Sequence, residues 1–191
     1  MKYLLPIALS VMLLFIAACT KEKTEPPFQS NFTSVTTNYA TPWAYTAFYG
    51  YSQQTKTCPV RLTFATGAVT STSGSDLKGY GEALVISLNS PTLNEIEPGI
   101  YKFAKVINPD SAAFKIYGSI LYLDNYAFTN NGGAQKGSKY TKITSGQMTV
   151  NKTNGAYTIT YYFVFSYQDY NFNTLKKNIK GEYRGTLNRF Q

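Results

Sequence analysis

The chain has 191 residues, with 18 lysines and arginines against 10 aspartates and glutamates and no histidine, for a formal net charge of +8. Without an imidazole, nucleophilic triads built on histidine are excluded, as are histidine metal sites, and the length leaves one domain of ordinary size. The basic residues form no dense cluster, which argues against a nucleic-acid partner; their spread suits an anionic leaflet or an acidic polysaccharide, or lysines that keep strand edges from pairing.

Lys2 is followed by an apolar run from Leu4 to Ala18. That run is shorter than the roughly 20 residues a spanning helix needs, so it is expected to be a secretory signal. The residues Ile16-Ala17-Ala18-Cys19 resemble the lipobox of bacterial lipoproteins. The resemblance implies cleavage after residue 18, a diacylglycerol thioether on Cys19 and acylation of the new amino terminus. It also implies a membrane partner through that lipid, at the outer membrane, on either its cell-surface or its periplasmic face. With Cys19 consumed, Cys58 has no intramolecular disulfide partner. Beside Pro59, it is expected to be a small residue packed at a strand start, since a reactive thiol would need an activating base.

From Thr20 to residue 38 the chain is charged, then rich in Ser, Thr and Asn, with Pro26 and Pro27 between. Such a segment buries too little apolar surface to fold alone and reads as a tether. Lys21, Glu22 and Glu25 partly resemble the export signal of surface lipoproteins of the Bacteroidota. The expected division is a signal peptide at 1–18, a lipidated cysteine and flexible tether at 19–38, and a β domain at 39–191.

Within that domain, the aromatic stretch from Trp43 to Tyr51 reads as a first strand. Val60, Leu62 and Phe64 alternate with polar residues and should face the core. A Gly, Ser and Thr loop is expected from Thr66 to Lys78. Tyr80 to Leu88 is apolar on both faces, so both should be buried. Pro91 to Pro98 breaks it, Gly99 to Val106 is the next strand, and Asn108-Pro109-Asp110 a turn. Phe114 to Asp124 follows, with Phe114, Ile116, Ile120 and Tyr122 set against Tyr117, Leu121 and Leu123. After a loop opened by Asn130-Asn131-Gly132-Gly133, Tyr140 to Asn151 should bury Met148 and Val150, with a bulge at Gly146. Asn154-Gly155 supplies a tight hairpin turn into Tyr157 to Phe165. After a polar loop from Ser166 to Asn173, the last strand turns Ile179, Tyr183 and Leu187 inward and Lys180, Glu182 and Arg184 outward. These elements predict an all-β fold: a single antiparallel β-sandwich or barrel-like domain of about eight or more strands.

Four stretches, Ala44 to Gly50, Pro98 to Phe103, Ser145 to Val150 and Lys180 to Leu187, resemble elements of small uncharacterised β-rich lipoproteins of Bacteroidota. The resemblance implies an outer-membrane lipoprotein with such a β domain and brings no catalytic residues.

Candidate chemistry is sparse. Glu95 and Glu97 are the close pair of acids and read as solvated loop charges, not as the two carboxylates of a glycosidase. The run from Asp169 to Asn173 starts like a calcium loop but places Thr174 and Lys180 where glycine and a bidentate glutamate belong. It therefore reads as a hairpin loop, as does Asp124-Asn125. Gly132-Gly133 lacks the context of a phosphate cradle. No cofactor, no metal and no catalytic activity are expected. Asp110-Ser111-Ala112 resembles the O-glycosylation site of Bacteroidota, which implies a sugar on Ser111. The 17 tyrosines and 12 phenylalanines suggest glycan stacking, with Tyr167, Tyr170, Phe172, Tyr45, Tyr49 and Tyr51 as the candidate ligand-binding aromatics. The expected function is a non-enzymatic outer-membrane lipoprotein acting as a surface ligand- or glycan-binding module. The alternatives are an accessory subunit of an envelope assembly, bound to an envelope protein, and a carrier of a small apolar ligand.

Overall fold

Alternating apolar and polar residues, cut by short turns, dictate strands, and a computed structural model of the chain describes residues 28–73, 76–128, 137–169 and 171–190. In chain order the strands are β1 (Asn31–Ser34), β2 (Thr37–Ala40), β3 (Trp43–Phe48), β4 (Cys58–Ala65), β5 (Val69–Ser73), β6 (Asp76–Ser90) and β7 (Gly99–Phe103). They continue as β8 (Lys115–Phe128), β9 (Ser138–Tyr140), β10 (Lys142–Thr153), β11 (Ala156–Gln168), β12 (Thr174–Gly185) and β13 (Asn188–Phe190). A 3-10 turn, Pro109–Ser111, is the one helical element among the described residues.

All the strands belong to one sheet, in the order β13-β3-β4-β6-β8-β7-β10-β11-β12-β1-β2, with β5 added beside β6 and β9 beside β8. The sheet curls into a half-barrel, so the all-β, barrel-like expectation holds. It is mixed rather than wholly antiparallel, because β7 with β8 and β13 with β3 pair in parallel. The second of these follows from the connections. β12 runs through Thr186-Leu187 into β13, and β2 runs through Thr41-Pro42 into β3. Both segments therefore carry the chain from one side of the sheet to the other without reversing it. Short bent links of this kind let a sheet fold over its own core.

The core lies inside the curl. Val60, Leu62, Phe64, Leu84, Ile86 and Leu88 are fully buried, as expected, and Met148, Val150 and Ile159 meet them from the other half. Phe64 stacks on Tyr161, with ring centroids 4.9 Å apart, and tilts against Tyr183 at 5.5 Å. Each such side chain contributes roughly 1.5–3 kcal/mol by leaving water. One end of the curl is closed by the segment after β6. Ile96 is fully buried there, and the Ser90 hydroxyl donates to the Glu95 carbonyl (2.7 Å) and accepts from the Glu97 amide (3.1 Å). The Tyr101 hydroxyl donates to the Glu97 carbonyl at 2.9 Å.

Several sequence expectations are corrected. The stretch assigned to tether at 19–38 contains β1 and the first half of β2, with Asn31 opposite Glu182 and Asn38 opposite Thr33. Phe32 supplies what composition averaging hides, since its fully buried ring holds the hairpin to the core. The expected loop from Thr66 to Lys78 contains β5, paired with the start of β6. In β8, Tyr117 and Gly118 share one side because a bulge lies opposite Ser87-Leu88. The extra residue shifts the phase, so Ile116, Ser119 and Leu121 are buried and Tyr117 is exposed. Asp124 and Asn125 form a second irregularity within β8, both at positive φ (62° and 54°), and not a loop. The bulge expected at Gly146 falls between Ile143 and Ser145. Gly146 is needed instead because a Cβ there would meet the Phe163 ring. Asn154-Gly155 turns the β10–β11 hairpin with both residues left-handed (φ 50° and 81°), as expected.

Candidate functional site

The six aromatics expected to bind ligand do not share one surface. The register from Phe48 opposite Val60 to Gly99 opposite Val150 puts Tyr49 and Tyr51 at the end that carries the Asn154-Gly155 hairpin. Gln168 opposite Thr174 puts Tyr167 and Phe172 at the other end. Tyr49 and Tyr51 are exposed, whereas Tyr45 is half-buried and stacks on Phe190 at 5.2 Å. Tyr167 meets Tyr140 edge-on at 5.1 Å, and Phe172 projects from its loop, 80% exposed. Tyr170 lies outside the described residues, as do Cys19, the signal segment and Gly132-Gly133.

The acids serve structure. Asp169 Oδ1 accepts from the Asn171 and Asn173 amides, each at 2.9 Å, and Oδ2 from Asn173 Nδ2 at 3.1 Å. Hydrogen bonding to the Asn173 side chain and backbone holds its carboxyl below the usual range. The Asp169–Asn173 segment is thus a loop closed by its own carboxylate, as expected. Glu95 is not simply solvated, because it pairs with Lys152 at 2.7 Å and raises that ammonium above its ordinary range. Glu82 accepts from the Asn125 amide at 3.0 Å across the β8 irregularity. Ser111 is exposed at the end of the 3-10 turn, which Asn108 caps through the Asp110 amide (3.1 Å). Cys58 is buried and unpaired.

The structure assembles a different surface, the outer face of β7, β10, β11, β12 and β1. Because pairing fixes which residues stand side by side, one row reads Lys102, Gln147, Tyr162, Lys180, Thr33, and the next Ile100, Thr149, Thr160, Glu182, Asn31. A third places Ser166 between Lys142 and Lys176. Tyr162 is 47% exposed at the centre. Three open depressions of about 230, 250 and 230 Å³ adjoin it or Lys180, lined among others by Asn178, Thr33, Thr160 and Gln147. The sequence signal was present: if Tyr161 and Phe163 face the core, Tyr162 must face out.

A smaller aromatic patch occupies the outer face of the opposite half. There Arg61 stands opposite Ser87 and beside Ala47. Tyr117, 42% exposed, lies near Tyr49, Arg61 and Ser87, and partial burial raises its phenol above the ordinary range. Tyr122, Tyr126 and Phe128 pack ring to ring nearby, with centroids 4.6 to 5.0 Å apart. They cover Ala83 from outside. Among the described residues, no group of acids and cysteines could hold a metal ion, and no helix is long and apolar enough to cross a membrane.

What fold and face define together is a curled β-sheet domain with a polar, tyrosine-centred outer face. No protein-family model matches the chain, and neither does any curated protein or solved structure.

Proposed function

We propose that this chain is a lipid-anchored, non-enzymatic module of the outer membrane that binds a glycan on the outer face of β10, β11 and β12. The carrying observation is the Tyr162 ring, half-exposed and flanked in register by Gln147 and Lys180. A sugar presents apolar C–H faces ringed by hydroxyls. An aromatic ring with amide, hydroxyl and ammonium groups at fixed spacing meets both parts. The sheet holds these groups in place, so little ordering is required on binding. Anchoring rests on the Ile16-Ala17-Ala18-Cys19 pattern, and more than one acyl chain would make it firm. Replacing Tyr162 with Ala is expected to leave the fold intact and to abolish retardation in native gels containing polysaccharide. Unchanged retardation, with Tyr167→Ala and Phe172→Ala as comparison variants, would refute the assignment to this face.

A second reading, an accessory subunit of an envelope assembly, draws on the Tyr49, Tyr117 and Arg61 patch, because Tyr and Arg dominate interface hot spots. Cross-linking in intact cells, with Tyr117→Ala as the variant, tests it; a partner retained equally by both proteins would count against that patch. The carrier reading has less support, since Tyr101, Phe64, Phe163 and Phe165 fill the interior.

A further inference from the structure

We infer that the glycan is acidic, a polymer whose carboxylates or sulfates are held by lysines on either side of Tyr162; this rests on the glycan-binding reading of that face. The face carries Lys102, Lys142, Lys176 and Lys180, all exposed, and none has a carboxylate partner among the described residues. Its one acid in the mapped rows, Glu182, is tied to Arg184 at 2.6 Å. The positive charge is therefore not cancelled locally.

The spacing is set by the sheet. Lys102 and Lys180 stand in one row with Gln147 and Tyr162 between them, three strand gaps or about 14 Å apart. Lys142 and Lys176 flank Ser166, two gaps or about 10 Å apart, and lie about 13 Å along β11 from the Tyr162 row. Like charges so placed repel one another in the free protein, and a bound polyanion relieves that repulsion. A polymer with an acidic group on successive sugars can reach cations on both sides of the ring while one sugar stacks on it.

Hydroxyl-matching groups favour a polysaccharide over a lipid leaflet. Gln147, Thr149, Thr160, Asn178 and Thr33 surround the ring. The exposed apolar side chains Val35 and Ile100 sit at the two margins, and Phe28 borders the face under the Arg184 guanidinium; these are too few and too scattered to insert among acyl chains.

The test measures binding of the mature chain to polygalacturonate, to the same polymer with its carboxyls reduced to alcohols, and to vesicles of phosphatidylglycerol. Polygalacturonate should bind, lose affinity steeply with added salt, and fail to bind Tyr162→Ala. Carboxyl reduction should remove most of the affinity. The double variant Lys102→Gln/Lys180→Gln should bind about a hundredfold more weakly, at roughly tenfold per charged contact. The variant Lys56→Gln/Lys105→Gln, which removes the same charge from exposed positions elsewhere, should bind like the parent. Equal binding of the reduced polymer would overturn the acidic assignment and leave the glycan reading standing. Equal weakening by both double variants would reduce the effect to net charge and overturn the inference. Binding to vesicles and to neither polymer would overturn both the inference and the glycan reading.

Discussion

At the scale of single residues, three buried hydroxyls among the described residues, those of Thr41, Tyr161 and Ser166, have no hydrogen-bond partner, and Tyr161 is the largest side chain of the three. Tyr161 is buried beneath Gly181, its hydroxyl has no hydrogen-bond partner, and burial alone drives its phenol far above the ordinary range. A buried unsatisfied hydroxyl costs about 1–3 kcal/mol, while the ring itself stacks on Phe64. Tyr161→Phe keeps the stack and removes the orphan atom. We expect it to raise the unfolding free energy by about 1 kcal/mol or more in urea titrations; a loss of stability would mean that the hydroxyl has a partner such as a bound water. Tyr183 differs, because its hydroxyl donates to the Thr186 carbonyl at 2.6 Å and so earns its burial.

At the scale of elements, the segment between β6 and β7 and the loop between β11 and β12 lie at opposite ends of the sheet and are held by different chemistry. The first inserts Ile96 as a plug. Ile96→Ala should therefore cost about 2–5 kcal/mol, read from thermal or urea unfolding, and a cost below 1 kcal/mol would show that the end collapses without it. The second depends on a carboxylate. Because the folded Asp169 carboxyl titrates below its ordinary value of 3.8, its stabilising effect is complete above that pH. The effect disappears as the pH falls through the lower, folded value. Amide exchange at Asn171 and Asn173 should accelerate in that acid range relative to the neighbouring strands, and Asp169→Asn should remove the pH dependence. A flat profile in the parent would refute the role.

Strand identity was legible wherever period-two alternation was clean, as in β4, β10 and β11. It failed where the alternation is broken by geometry that no local pattern encodes. The β8 bulge at Tyr117-Gly118 reversed the faces read for Ile120 and Leu121. β1 and β2 were missed because four-residue strands of Asn, Thr and Ser look like linker until β12 is beside them. Of the aromatics chosen by richness, register sends Tyr49 and Tyr51 to one end and Tyr167 and Phe172 to the other, while Tyr45 lies within β3 against Phe190. Tyr162, Gln147 and Lys180 are far apart in sequence and adjacent only through β10, β11 and β12, so strand pairing had to be known before they formed a site.

On the scale of the whole molecule, the fold depends on distant pairings. β13 pairs with β3, Phe190 stacks on Tyr45, and the Thr46 hydroxyl donates to the Asn188 carbonyl at 3.2 Å. The Arg189 guanidinium lies 4.9 Å from the Phe48 ring centroid. Ending the chain after Leu187 leaves β3 as a bare edge with Tyr45 uncovered. We expect truncation to lower the unfolding midpoint and to promote association through that edge, visible by light scattering; an unchanged midpoint would show that β13 is dispensable.

The attachment of β1 bears on mechanics. The chain enters the sheet at its N-terminal side along β1, whose residues Asn31 to Ser34 lie antiparallel to Glu182 to Ile179 of β12. The Ser30 hydroxyl adds a bond from the Arg184 amide at 3.0 Å, and the Ser30 carbonyl one from the Thr41 amide at 2.8 Å. Ladder bonds run across the strands. A tug on the leading segment, resisted by a ligand seated on β11 and β12, therefore loads the β1–β12 bonds side by side in shear, not one after another as in a zipper. The strand that takes the strain borders Lys180 directly, so under the proposed anchoring and glycan binding the load path would cross one strand interface and bypass the rest of the sheet.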